Sequence, residues 1–432
     1  MKNGSKVQLR YLNMKNNNIP DIRFPGFTDD WEQRKLSSIC SMHARIGWQN
    51  LRTSEFLDTG EYYLITGTDF DDGKVNLSTC HYIAKERYDQ DKKIQIKNGS
   101  ILITKDGTLG KVALVEELDK PATLNAGVFN VEIVAENIDN KYLFQYLKAP
   151  FLMDYVDRKA TGGTIKHLNQ NILVDFPVWL SDYEEQKRVG LFFQQLDCLI
   201  TLHQNELDVL KKTKKGFLQE MFPKEGEIVP EVRFPGFTDD WEQRKLDTIF
   251  SKIRNAFVGT ATPYYVENGH FYLESNNVKN GQINRNTEVF INDEFYNMQN
   301  DKLLYTNDIV MVQSGHVGHT AVIPDDLDGT AAHALIMFSG YKIETDPLFL
   351  NYQFQTRKSK KKLENITTGN TIKHILSSEM KKFEVDFPDY AEQKTIGKFF
   401  KQLDNTIALH QRELDVLKKT KKAFLQKMFI NS

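Results

Sequence analysis

Fourteen residues, RFPGFTDDWEQRKL at 23–36, return unchanged at 233–246. Toward the other end of each copy, residues 196–222 and 403–429 agree at 21 of 27 positions. Between these ends the likeness thins to fragments. ILITKDGTLGKVALV (101–115) matches IVMVQSGHVGHTAVI (309–323), GGTIKHL (162–168) matches GNTIKHI (369–375), and VDFP stands at 174–177 and again at 385–388. A period near 210 residues is far too long for a solenoid, so each copy is a domain with an appendage. Neutral drift would spread the differences evenly. Their concentration in residues 37–175 and 247–386 implies a frame kept for assembly around two bodies with different ligands.

The appendage reads as a long helix. Apolar or interface-compatible residues follow in steps of three and four: Leu196, Leu199, His203, Leu207, Leu210, Lys214, Phe217, Met221. The second copy gives Phe399, Leu403, Thr406, His410, Leu414, Leu417, Lys421, Phe424, Met428. That is a coiled-coil seam whose His and Lys interruptions can fix register. Asp182-x-x-Glu185 and Asp389-x-x-Glu392 resemble capping boxes, and Pro223 is a stop signal for a helix over 182–222, about 60 Å long. Two such helices bury their seams most naturally against each other. The bodies instead carry short β-rich runs between Gly, Asn and Asp turns, with 28 Phe and 17 Tyr to build cores. The predicted organisation is a flexible segment at 1–20, a mixed α/β body at 21–181, a helix at 182–222, a second body at 223–388 and a second helix at 389–432.

Several chemistries lack their residues. No Pro-Pro pair exists, so the amine-holding loop of an exocyclic-amine methyltransferase is missing; Asp346-Pro347-Leu348-Phe349 is the nearest text. Gly107-Thr108-Leu109-Gly110-Lys111-Val112 has neither the spacing nor the hydroxyl of a phosphate-binding loop. Glu185-Gln186-Lys187 and Glu392-Gln393-Lys394 have a nuclease-like acid–lysine spacing, but at a helix start acidic residues favour the dipole. His316-x-x-His319 has no Cys or third His nearby in sequence and reads as a turn. Cys40, Cys80 and Cys198 are too few and too scattered for a disulfide framework or a zinc site, and suit a reducing cytoplasm. No stretch approaches the ~20 apolar residues of a membrane helix. A net charge of −2 excludes a uniformly basic nucleic-acid binder but not local basic patches.

Two variable bodies, each followed by a near-constant long helix, with FPGFTDDWEQRKL openings and G-x-T-I-K-H motifs, resemble the specificity subunit of type I restriction-modification systems. The resemblance covers the chain beyond residue ~20. It implies an α+β fold: two mixed α/β target recognition domains joined by two long antiparallel coiled-coil helices, a pseudo-twofold internal repeat. It implies that each body reads one half of a split site in double-stranded DNA, and that the chain has no catalytic centre and binds no cofactor. Two modification subunits would use S-adenosylmethionine to methylate adenine N6, and two restriction subunits would use ATP and Mg. A stand-alone two-headed repressor or architectural protein is the alternative.

For a DNA reader, phosphate contacts come from Lys, Arg and turn amides, and base contacts from polar side chains matched to base edges. The loops shared by both bodies are the expected positioning elements: Lys105, Gly107, Gly110, Thr164, Lys166 and His167 in the first, Gln313, Ser314, His316, Thr371, Lys373 and His374 in the second. Polar residues that differ between bodies are the expected base readers: Arg45, Trp48, Gln49, Asn50 and Arg52, then Arg254, Asn255, Asn276 and Asn277. The runs Lys358–Lys362, Lys211–Lys215 and Lys418–Lys422 meet phosphate or solvent, and Trp31, Trp241 and the exposed helix faces are candidates for docking partner subunits.

Overall fold

A computed structural model describes residues 10–11, 18–45, 51–159, 167–369 and 373–430. The chain divides into two compact units, one of residues 1–204 and 413–432, the other of 205–412. Each unit therefore contains one body and a stretch of both long helices, a division that differs from the element-by-element boundaries expected from the sequence.

The duplicated text closes each body. Glu32–Lys35, from the repeated WEQRKL, pairs antiparallel with Pro177–Leu180, which begins at the proline of VDFP. Glu242–Lys245 pairs antiparallel with Glu384–Phe387, which ends just before the proline of the second VDFP, so the two VDFP copies take different places in the clasp. Inside this clasp the first body has an antiparallel series Cys40–His43, Val128–Ile133, Ile101–Thr104, Val112–Leu114. The second has Phe250–Asn255, Leu335–Tyr341, Ile309–Val312, Thr320–Val322 in the same order. The central strand of each is buried along its whole length, which is why it reads as an unbroken apolar run. Because successive strand residues face opposite ways, Ile101 and Ile103 enter one core while Leu102 enters another. Ile309 and Met311 are separated from Val310 and Val312 in the same manner.

The two long helices are Tyr183–Glu220 and Tyr390–Met428. Within the first unit, Phe192 near the start of one meets Phe424 near the end of the other, at 5.2 Å between ring centroids. Within the second, Phe217 and Phe399 meet at 5.3 Å with the roles exchanged, so the packing is antiparallel in each. Leu207 and Leu414 are fully inside, and Leu196, Leu210, Phe217, Leu403, Leu417 and Phe424 are half-buried, as a seam requires; His203 and His410 are half-buried too. Leu199 is 44% exposed and Thr406 is exposed, which corrects both assignments: the seam passes through Ile200, 5% exposed, and through half-buried Ile407. With those replacements the steps alternate between four and three from Leu196 in the first helix and from Leu403 in the second, the regular pattern of two helices meeting along one stripe.

The capping boxes are half right. Asp182 accepts from the amides of Glu184 and Glu185, and Asp389 from that of Glu392. The glutamates do not reach back to the cap. Glu185 takes a two-pronged bond from buried Arg23 at 2.7 and 2.8 Å and a third from Trp31 Nε1 at 3.0 Å. Glu392 does the same with Arg233 and Trp241. Trp31 and Trp241 are thus core residues, 2% and 3% exposed, and not docking surfaces. The following glutamines bridge to the bodies: Gln186 Oε1 accepts from the Asp139 amide and Gln393 Oε1 from the Asp346 amide, both at 3.1 Å. Close approach also explains a frame glycine, since a Cβ on Gly397 would stand 2.3 Å from Asp346 Oδ1, and one on Gly190 would stand 2.7 Å from Asp139 Oδ1.

Two lysines of the KKTKK runs turn inward, as their places in the seam required, while the runs' other lysines are exposed. Lys214 Nζ lies 2.6 Å from Asp404, which also accepts from Tyr352 Oη at 2.8 Å. Lys421 and Asp197 bond at 2.5 Å, and burial lowers the lysine's basicity against the opposing pull of that carboxylate.

Candidate nucleic-acid interface

The two best-matched fragments of the bodies, distant in sequence, meet in space. In the first body the loop after Ile101–Thr104 carries Lys105 and Asp106, and Asp106 forms a β-bridge with His167 from the G-x-T-I-K-H segment. The Leu168 amide donates to the Lys105 carbonyl at 2.8 Å, and His167 Nδ1 lies 2.5 Å from Asp106 Oδ1. In the second body Ser314 bridges His374, the Gly315 amide donates to the Lys373 carbonyl at 3.2 Å, and the Ile375 amide donates to the Gln313 carbonyl at 3.0 Å. The construction is shared; the side chains presented on it differ.

Backbone shape explains the loop glycines. Gly107 and Gly110 have φ of +74° and +71°, and Gly315 and Gly318 have +80° and +83°, a region that favours glycine. Gly110 has a second reason, because a Cβ there would stand 2.0 Å from Met153 Sδ. Its place is set by packing, whereas Gly107 has open space around it. Lys105 is half-buried, with its ammonium 5.6 Å from the Phe129 ring centre. His167, His316, Lys373 and His374 are exposed, and Ser314 is half-buried. Burial, and then the nearby Lys360, His316 and Lys279, hold His319 below the ordinary histidine range.

The expected base readers separate into groups. Arg45 is a correction: it is 2% exposed and donates to the Leu124 carbonyl at 2.9 Å, so its guanidinium serves the core. Asn277 is another, 1% exposed, donating to the carbonyls of Asn284 and Thr287 and accepting from the Glu274 amide. Arg52 and Asn276 are exposed. Trp48, Gln49, Asn50, Thr164, Lys166 and Thr371 lie outside the described residues.

Arg254, Asn255 and Gln313 have a property residue type alone does not disclose. Arg254 Nε, Asn255 Oδ1 and Gln313 Oε1 are buried without a hydrogen-bond partner among the described residues. Asn255 is opposite Ile336, and Val312, just before Gln313, is opposite Leu335. Asn255 and Gln313 therefore share one end of the sheet, beside the Ser314–His374 loop. An orphaned buried amide costs ~1–3 kcal/mol, so each is a position where an incoming polar group gains by supplying the missing bond. Of the Lys358–Lys362 run, Lys358 is held by Asp386 at 2.8 Å, Lys361 by Glu225 at 2.8 Å, and Lys362 donates to the Glu384 carbonyl.

A family model described as the type I restriction modification DNA specificity domain matches residues 28–212 and 238–419. Among curated proteins, the type I restriction enzyme MjaVIII specificity subunit of Methanocaldococcus jannaschii is 26% identical over 346 residues, covering 77% of this chain and 79% of that protein. The putative MjaX specificity subunit of the same organism is 24% identical over 427 residues, covering 95% of each. Among solved structures, the S subunit of a type I restriction-modification system from M. genitalium superposes with a TM-score of 0.62 at 14% identity, over 95% of this chain and 99% of that one.

Proposed function

Because the chain belongs to the type I restriction-modification DNA specificity family, matched over both of its copies, we propose that it reads a split DNA site, one half with each body, and has no catalytic centre of its own. The observation that carries this reading is the paired loop. One backbone construction occurs in both bodies, each with a histidine of the shared text, His167 or His374, yet beside it the first body presents Lys105 and Asp106 and the second Gln313 and Ser314. A common scaffold with different polar side chains is what two different half-sites require. Exposed Arg52, Asn276, Lys373 and the two histidines are the available contacts, and the orphaned amides of Asn255 and Gln313 extend the set on the second body.

The remaining activities belong to partners in this reading. Two modification subunits bring S-adenosylmethionine and methylate adenine N6; two restriction subunits bring ATP and Mg. Each long helix exposes a leucine and a valine seven residues apart, Leu202 with Val209 and Leu409 with Val416. Such apolar groups on one helical face suit docking of the modification subunits. Mapping methylated adenines in cells with and without this gene tests the proposal. A split motif present only with the gene supports it, and Asn255→Ala or Gln313→Ala should then relax one half of that motif while leaving the other unchanged. Methyl transfer by the purified chain without partners would overturn it.

A further inference from the structure

In the second unit a groove of about 1050 Å3 lies between the end of the first long helix and the helix Arg357–Ile366. Six cations line it, Lys211, Lys214, Lys215, Arg357, Lys360 and Lys361, against two acids, Glu364 and Asp404. Lys214 is satisfied by Asp404 and Lys361 by Glu225. Among the described residues, Lys211, Lys215, Arg357 and Lys360 have no acidic partner within ion-pair distance. All four are exposed around one concavity. The lining also contains the amides Asn280, Gln282 and Gln355, hydrogen-bonding groups suited to phosphate oxygens.

The groove is continuous with the reading loop. Lys360 and Glu364 also line a smaller hollow with Gly318, His319 and Lys373, and the Asn280 amide is 3.4 Å from His319 Nδ1. The first body does not repeat the part of this surface that the helix Arg357–Ile366 supplies. Asp139 and Asp346 cap equivalent helices, each with its amide bonded to the matching glutamine of the frame. Counting on from those caps to the shared T-I-K-H text, Pro150, Met153 and Asp154 occupy the places of Arg357, Lys360 and Lys361. Lys211 and Lys215 recur as Lys418 and Lys422, so the asymmetry lies in Arg357, Lys360 and Lys361, whose places in the first copy are uncharged or acidic.

We propose that this groove is a sequence-independent phosphate clamp, holding the sugar–phosphate backbone of duplex DNA beside the base pairs that the second body reads. The inference rests on the DNA-reading function proposed above. It assigns the two bodies unequal parts, with the second supplying more of the salt-sensitive affinity. An acidic polypeptide is the competing occupant, but it would not account for the continuity with the reading loop.

The test uses the full chain and a 30-base-pair duplex of random sequence, with affinity measured across a range of salt concentrations. Each phosphate contact adds about 0.9 to the slope of log affinity against log salt. Neutralising three exposed groups, in the K215Q/R357Q/K360Q variant, should therefore reduce the slope by about 2–3. The same charge change on the first body, K92Q/K93Q/K97Q, should leave it unchanged, and the charge-retaining K215R/R357K/K360R should restore the parent value. An unaltered slope in the groove variant overturns the clamp, as does an equal fall in the first-body control. Loss of poly-glutamate binding with duplex binding intact would assign the groove to an acidic protein and also overturn it. If the parent chain bound no duplex under any condition, the DNA-reading function itself would fail, a result distinct from all of these.

Discussion

Arg23, Trp31 and Glu185 form a buried clamp that recurs as Arg233, Trp241 and Glu392, and it gives a physical reason for the identity of the two frames. A carboxylate accepting three bonds in the core tolerates neither a lost partner nor a shortened one. Glu185→Ala should reduce the stability of the first body by about 3–5 kcal/mol, since it leaves the Arg23 guanidinium buried and unpaired. Arg23→Met combined with Glu185→Leu should recover most of that loss, as measured by hydrogen exchange of the first body's core amides. Asp308 makes a prediction about pH. Burial raises its carboxyl to about 6, against the bond from the Tyr305 amide and the nearby Arg254, which both favour the charged form. The folded state thus binds this proton more tightly than the unfolded chain, whose value is 3.8, and stability falls as pH rises from about 4 through 6. Asp308→Asn should raise the melting temperature at pH 7.5 and much less at pH 4.5; an equal gain at both would refute the assignment. Single residues were the least legible part of the sequence. Arg45 and Asn277 have the chemistry of base readers, but a polar type in a variable segment does not say whether its side chain turns outward or satisfies core carbonyls.

At the scale of elements, the long helices were legible because a seam of three and four steps persists over many turns, a signal much stronger than any local propensity. The face was misjudged at one step in each. Leu199 and Ile200 are both apolar, and periodicity alone permits either; only the position of the opposing helix decides. Ile200→Ala should cost about 2–4 kcal/mol, whereas Leu199→Ala should cost under about 0.5. Comparable losses from both would return the seam to Leu199. The seam spacing did single out Lys214 and Lys421, but not the acids that hold them. A KKTKK run looks like a solvated face, yet a helix rotates one of its lysines inward wherever an aspartate such as Asp404 or Asp197 awaits it. One strand of the clasp was indicated by the repeated WEQRKL, but VDFP was a poor guide to its partner, since the first copy enters the strand only at Pro177 while the second supplies Val385–Phe387.

For the whole molecule, duplication in the sequence disclosed two bodies and two helices. It did not disclose which parts complete one another, because antiparallel packing takes each unit's pieces from remote places in the chain. The last turns of the second long helix belong to the first unit. There Leu425, Met428 and Phe429 are buried in the first body's core; Phe429 stacks on Phe193 at 5.5 Å and meets Tyr142 and Tyr146 edge-on. The Ile430 carbonyl accepts from Tyr146 Oη at 3.2 Å. Removing residues 425–432 would therefore open a cavity in a body that begins some 400 residues earlier. Losing a fully buried phenylalanine alone costs about 3–5 kcal/mol, and the leucine and methionine add to it. The second body has its own equivalents, Met221 and Phe222 just past the end of the first long helix, which the truncation leaves in place. Hydrogen exchange of the truncated chain should show protection falling at residues 142–156 and 189–193, while 349–354 and 396–400 keep theirs. The opposite pattern, with the second body loosened and the first intact, would mean that the chain's end completes its sequence neighbour and that the units are assembled differently.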